Sequence, residues 1–184
     1  GFIVGVVEKS NIIDTNLISR GDILLGLRSN GLHTNGYSLV RHILDLEKDP
    51  TPLTKFHSEL GETLGDSLLT PHRSYYKLIQ GAMPFIKGIS HITGGGITEN
   101  VPRILPKTLA AQFDISSWRP PNIFETLQNL GDITSKEMYR VFNMGLGMVL
   151  VCDPSSVQSI KALIPEVSIV GEVIPSSTEE RINL

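Results

Sequence analysis

The chain has 184 residues, 40% hydrophobic and 19% charged, a composition that suits one globular domain and excludes a disordered or collagen-like chain. A net charge of -3, with the 16 basic residues scattered, gives no electrostatic footprint for nucleic acid. The single cysteine, Cys152, excludes an internal disulfide and fits a reducing compartment; no stretch has the length of a membrane span, so the reading is cytoplasmic with no membrane partner.

FIVGVVE (2–8) is a β-rich run, and Gly1 in place of a methionine reads as a processed start or a piece of a longer polypeptide. DILLGL (22–27) is the next strand, followed by the polar loop SNGLHTNG (29–36). From 36 to 46 the apolar residues Leu39, Val40, Ile43 and Leu44 share one helical face, with Asn35 placed to cap the helix. Residues 47–71 hold three prolines, two glycines and many charges, the mark of a surface excursion, with a short helix expected near 55–60. SYYKLIQGAM (74–83) reads as a helix and GISHIT (88–93) as a strand.

After the triple glycine 94–96, helix signals resume near Glu99, with Pro102 in a first turn where its missing N–H costs nothing. TLAAQFD (108–114) is a strand. IFETLQNL (123–130) and SKEMYRVF (135–142) are short helices, the second with Thr134 and Glu137 at capping-box spacing. GMVLVCD (147–153) is a buried β run, SSVQSIKALI (155–164) a helix and VSIVGEVI (167–174) a strand. This order, β-β-α-α-β-α-β-α-α-β-α-β, predicts a mixed sheet with helices packed on it, and no linker splits residues 1–184 into two domains.

Two loops carry the chemistry. SNGLHTNGYSL and HITGGGITENV each follow a strand, contain glycine and hydroxyl residues, and feed a helix. Glycine clears side-chain bulk so that an anion can reach backbone amides, and Ser29, Thr34 and Thr93 could add hydroxyl donors. The plain alternative is that both loops are only turns. Neither is a P-loop or a G-x-G-x-x-G fingerprint. His33 and His91 flank these loops; His91, in a strand, reads as a buried and satisfied residue, and His72 as one in polar surroundings. No H-E-x-x-H or paired Cys/His spacing occurs, so no metal ligand is assigned. Cys152 reads as inert core, Gly145 and Gly147 as close-packing positions before a ligand contact, and Trp118 as an anchor for its proline-rich loop before a stacking surface.

Taken in register, GDILLGLRSNGLHTNGYSLVRHIL, LTPHRSYYK, HITGGGITENVPRILP, WRPPNIF and EMYRVFNMGLGMVLV resemble the C-terminal half of the aminoimidazole ribonucleotide synthetase family, the phosphoribosylformylglycinamidine cyclo-ligases. The likeness runs from about Gly1 to about Glu172; one departure is His72, where the family usually reads LTPTR. The resemblance implies an α+β fold, a three-layer sandwich of helices around a mixed sheet. It implies ATP-dependent ring closure of formylglycinamidine ribonucleotide to aminoimidazole ribonucleotide in purine synthesis, with Mg2+ assisting. An N-terminal half, absent from this chain, would supply most of the nucleotide and metal site and the contacts of a homodimer, leaving this piece inactive alone. On that reading His33 and Asn35 orient substrate, and Ser29, Gly31, Thr34, Gly36, Thr93, Gly94, Gly95 and Gly96 bind phosphate. Two alternatives stand beside it: another ATP-using enzyme of the same superfamily, of the formylglycinamidine ribonucleotide synthetase or selenophosphate synthetase type, and a non-catalytic binding or assembly module.

Overall fold

The structure is a computed structural model that describes residues 2, 4–176 and 181–184. Its strands are β1 (Ile23–Arg28), β2 (Phe56–His57), β3 (Glu62–Thr63), β4 (Ile86–His91), β5 (Leu109–Phe113), β6 (Leu146–Cys152), β7 (Ser168–Pro175) and β8 (Ile182–Asn183). The helices are α1 (Tyr37–Ile43), α2 (Leu64–Leu68), α3 (Tyr76–Ile79), α4 (Gly96–Asn100), α5 (Asn122–Gly131), α6 (Ser135–Val141) and α7 (Val157–Leu163).

Six strands form one mixed sheet in the order β4-β6-β1-β7-β5-β8, antiparallel throughout except for the parallel β5–β8 pair. Every residue of β6 is buried, as its uninterrupted apolar run requires of a strand covered on both faces. The side chains alternate across it. Val149 and Val151 join Leu24, Val170 and Val173 under Ile97, Val101 and Trp118. Met148, Leu150 and Cys152 join Leu25 and Leu27 under Tyr75, Ile79, Val157 and Ile160. Helices on both faces of one mixed sheet make the expected three-layer α+β sandwich. A third cluster, built on Val40, Leu64, Phe124, Leu127, Met138 and Phe142, joins α1, α2, α5 and α6.

The topology also places the two glycine loops. β6 lies between β4 and β1 and runs antiparallel to both, so the ends of β4 and β1 leave the sheet on the same side. His91, the last residue of β4, pairs with Met148, and Arg28, the last of β1, pairs with Leu146. The loops after His91 and Arg28 therefore flank the start of β6, although more than sixty residues of chain separate them.

Three expectations are corrected, and one strand is added. The run 2–8 forms no strand: Ile3 lies outside the described residues, and Phe2, Val4 and Val6 are fully exposed. β-propensity without a neighbouring strand to pair with leaves the backbone irregular. The helix expected near 55–60 is a two-residue strand and a turn; the helical turn lies earlier, at Thr51–Thr54, where Pro52 sits in the first turn. Asn35 does not cap α1, because Gly36 occupies the N-cap position in the left-handed conformation at φ 85°. A side chain at 36 would overlap the Phe142 ring, so packing chose the cap. Strand β8 gave no signal in the sequence; two residues pairing at a sheet edge carry no period.

Other expectations stand. The Thr134 hydroxyl caps α6 by accepting from the Glu137 amide at 3.3 Å, while the Glu137 carboxylate turns to Arg140 at 2.6 and 2.7 Å instead of closing a reciprocal box. Trp118 is 5% exposed and donates its indole N–H to the Met144 carbonyl at 2.9 Å, which anchors its loop. Cys152 is fully buried, and burial pushes its thiol up to about 11, consistent with an inert core residue.

Candidate functional site

Each glycine loop is stitched together by one buried asparagine, distant in sequence for the first loop and at the end of α4 for the second. Asn143 serves the loop after β1. Its Nδ2 donates to the carbonyls of Gly31 at 2.9 Å and Leu32 at 3.2 Å, and its Oδ1 accepts from Ser29 Oγ at 2.7 Å and from the Gly145 amide at 2.9 Å. Asn100 serves the loop after β4. Its Nδ2 reaches the carbonyls of Gly96 at 2.8 Å, Gly94 at 3.1 Å and Thr93 at 3.3 Å, while its Oδ1 accepts from Thr93 Oγ1 at 3.1 Å. Carbonyls held inward by a carboxamide leave a loop that is shaped in advance. Neither asparagine carries a sequence signal: the loop partners of Asn143 are over a hundred residues away, and those of Asn100, though local, follow no capping or turn spacing.

The loops meet. A Cβ built on Gly94 would lie 3.3 Å from Asn35 Oδ1, so Gly94 and Asn35 face each other across a narrow gap. The three consecutive glycines have different reasons. Gly95 and Gly96 need positive φ, 93° and 57°, and a Cβ on Gly96 would overlap the Tyr139 carbonyl oxygen. Gly94 has no positive φ, and the Asn35 side chain is its one close neighbour. Its amide and that of Gly95 have no acceptor among the described residues.

Several of the candidate donors are engaged within the chain. The Gly96 amide donates to the Thr93 carbonyl at 3.0 Å, and the hydroxyls of Ser29 and Thr93 donate to Asn143 and Asn100. These groups shape the loops instead of presenting free donors. Gly31 is buried with its carbonyl on Asn143, and Gly36 is fixed by Phe142. Thr34 is exposed and Asn35 half-buried beside Gly94. Gly147 is a packing glycine, as expected: a Cβ there would overlap the Tyr75 hydroxyl and lie 2.7 Å from His33 Cε1.

His33 is 4% exposed and has a left-handed backbone at φ 60°. Its Nε2 is 3.0 Å from Asn30 Oδ1, and Asn30 is itself held by Nδ2 donating to the Pro71 carbonyl at 2.8 Å. The carboxamide oxygen can only accept, so His33 carries its proton on Nε2 and a lone pair on Nδ1. That Nδ1 is buried without a hydrogen-bond partner. Burial first, then the nearby His72, His91 and Arg73, lower the His33 pKa from 6.5 to about 4.

The reading of His91 as buried and satisfied is corrected: it ends β4 exposed, with its Nε2 3.3 Å from His72 Nε2. His72 stacks on His33 with ring centroids 4.0 Å apart and planes 14° from parallel. One ring nitrogen from each of the three histidines falls within a 4.8 Å span, the one His, Cys, Asp or Glu group among the described residues close enough to share an ion. Their positions in the chain show no metal-binding spacing, which is why no metal residue was assigned. No comparable cluster of carboxylates occurs among the described residues, and three imidazoles are a poor donor set for Mg2+, which takes oxygen ligands.

The chain matches the family described as AIR synthase related protein, C-terminal domain, over residues 19–182. It belongs to that family. A phosphoribosylformylglycinamidine cyclo-ligase of Thermoanaerobacter sp. (strain X514) is 48% identical over 181 residues, 96% of this chain and 54% of the relative. The cyclo-ligase of Neisseria meningitidis serogroup C (strain 053442) is 46% identical over 168 residues, 90% of this chain and 48% of the relative. The chain thus spans about half the length of the curated relatives it matches. Among solved structures, the thiamine-monophosphate kinase of Stenotrophomonas maltophilia K279a superposes with a TM-score of 0.59 at 10% identity, covering 96% of this chain and 54% of that one. E. coli HypE superposes at 0.53 and 17% identity, covering 88% and 46%. At such identities the likeness is one of fold alone. No helix among the described residues is long and apolar enough to cross a membrane.

Because the His33 pKa falls on folding, the unfolded chain binds more protons than the folded one between 6.5 and about 4. Stability is full above pH 6.5, falls as pH drops through that window, and levels off below about 4. The expected loss is roughly 2 to 3 kcal/mol. Urea unfolding at pH 7.5 and 4.5, with EDTA present, measures it. His33→Gln should flatten that part of the pH dependence; an unchanged slope would show that His33 does not carry it.

Proposed function

We propose that this chain is the C-terminal part of an ATP-dependent cyclo-ligase that closes formylglycinamidine ribonucleotide to aminoimidazole ribonucleotide in the cytoplasm. The observation that carries the reading is 48% identity to a curated cyclo-ligase across 96% of this chain. In this reading the chain provides one wall of the active site, facing the part of the relatives' length that lies outside the match. That other part supplies the acidic ligands for Mg2+, much of the ATP site and the dimer contacts, since the residues here do not suit magnesium.

The two abutting loops form the wall. The free amides of Gly94 and Gly95, with the exposed Thr34 hydroxyl, receive phosphate oxygens. Asn35 orients polar groups of the ribonucleotide, while His33, buried and held on Asn30, fixes the loop that carries it. Ser29, Gly31, Gly36, Thr93 and Gly96 hold the loops in shape through the contacts already described. α1 and α4, at 7 and 5 residues, are too short for helix dipoles to dominate, so the local amides carry the anion site. A tightly preorganised cradle is what positioning-dominated phosphate chemistry demands.

The test is a chimera that joins this chain to the N-terminal part of the Thermoanaerobacter relative. The chain alone should give no turnover of formylglycinamidine ribonucleotide with ATP, whereas the chimera should produce aminoimidazole ribonucleotide. A chimera that folds, dimerises and stays inert would count against the proposal.

A further inference from the structure

We propose that His33, His72 and His91 form a site for a borderline divalent transition-metal ion of the zinc class, bridging the two glycine loops. Two independent observations point to a ligand. One is the juxtaposition of three ring nitrogens within 4.8 Å, drawn from three separate segments. The other is the buried lone pair on His33 Nδ1, which has no partner. A buried acceptor left unpaired is costly, and a cation would satisfy it.

The three nitrogens are near enough to share an ion once the His72 ring turns. Two nitrogens bound tetrahedrally at about 2.0–2.1 Å lie about 3.3 Å from each other, and the Nε2 atoms of His72 and His91 are 3.3 Å apart. Asn30 bonds the opposite nitrogen of His33 at 3.0 Å and is itself fixed on Pro71, the arrangement by which an outer partner sets the tautomer and orientation of a ligating imidazole. One adjustment is required. The His72 ring lies nearly parallel to His33, so it must rotate off that stack to point its lone pair at a shared ion. His72 is exposed on an irregular segment, where a change of χ angles is inexpensive. The neighbouring cation Arg73 is paired with Glu166, which offsets its repulsion.

Three imidazoles select zinc, copper, nickel or cobalt over magnesium or calcium. They leave a fourth position open to water or to an anion at the loops. The ion would tie the loop after β1, the 69–75 segment and the end of β4 into one unit. The proposal is independent of the cyclo-ligase reading, because it uses only side chains of this chain and needs no turnover.

The test is zinc titration of the chain at pH 7.5 in competition with a chromophoric chelator. One zinc per chain is expected. His72→Gln and His91→Gln should each weaken binding by at least about tenfold, and His42→Gln should leave it unchanged. Both variants alter exposed residues, and their melting without zinc should match the parent. On the unmodified protein, histidine ring 15N shifts should move for His33, His72 and His91 when zinc is added. Ten millimolar-range magnesium, on the order of a thousandfold excess, should not displace the zinc. Absence of one-to-one binding, undiminished binding in both variants, or shifts confined to His42 and His57 would overturn the proposal.

Discussion

Asn143→Ala is expected to destabilise the fold by about 3 to 5 kcal/mol. The residue is 3% exposed and joins the loop after β1 to the turn that opens β6. Alanine would strand the Ser29 hydroxyl and the Gly145 amide, which lose their acceptor, and the carbonyls of Gly31 and Leu32, which lose their donor. Each unpaired buried group costs roughly 1–3 kcal/mol before water or relaxation recovers part of it. Asn143→Asp discriminates the two ends of the carboxamide. It keeps an acceptor for Ser29 and Gly145 but faces two carbonyls with a carboxylate, so it should also destabilise, and more so as pH rises above the carboxyl's titration. Urea midpoints at constant m-value measure both variants. A loss under about 1 kcal/mol for alanine would mean that the loop holds its shape without the stitch.

Gly96→Ala should cost about 3 kcal/mol or more, for a different reason. The new methyl group would collide with the Tyr139 carbonyl oxygen and lie 2.9 Å from that of Phe142, at a backbone φ of 57°. Both obstacles are main chain at the end of α6, which cannot rotate away as a side chain would. Relief requires moving α6 off α4 or changing the turn at Gly95 and Gly96, and either shifts the loop. Gly94→Ala is the internal control. Its φ is ordinary and its one close neighbour is the Asn35 side chain at 3.3 Å, which can give way, so less than about 1 kcal/mol is expected. In the active chimera the same methyl should nonetheless weaken ribonucleotide binding, since it fills the gap between the loops. Equal thermal melting of Gly94→Ala and Gly96→Ala would refute this division of labour among the three glycines.

The His72 position illustrates why the zinc site escaped a reading by motif. Metal spacings are recognised when ligands come from one turn or one helix face. Here they come from a loop, an irregular segment and a strand end that only the β4-β6-β1 strand order brings together. The same holds for Asn143, whose role depends on where the carbonyls of the loop after β1 fall. By contrast, the loops themselves were legible, because glycine and hydroxyl residues between a strand and a helix are local features. Their donors were only half legible. Nothing in HITGGG says that the Gly96 amide is consumed by Thr93 while those of Gly94 and Gly95 have no internal acceptor.

From the amino-acid order alone came the mixed α+β class, the buried character of β6, the Trp118 anchor, the Thr134 cap, the two glycine loops and the family. These are properties of short windows, where period, propensity and motif register act within a few residues. Tertiary structure decided the rest. It left Phe2 and residues 4–8 unpaired, put glycine instead of Asn35 at the cap of α1, set Gly94 against Asn35, and gathered three histidines. Each of these depends on contacts between residues far apart in sequence, where strand order and steric exclusion override local preference.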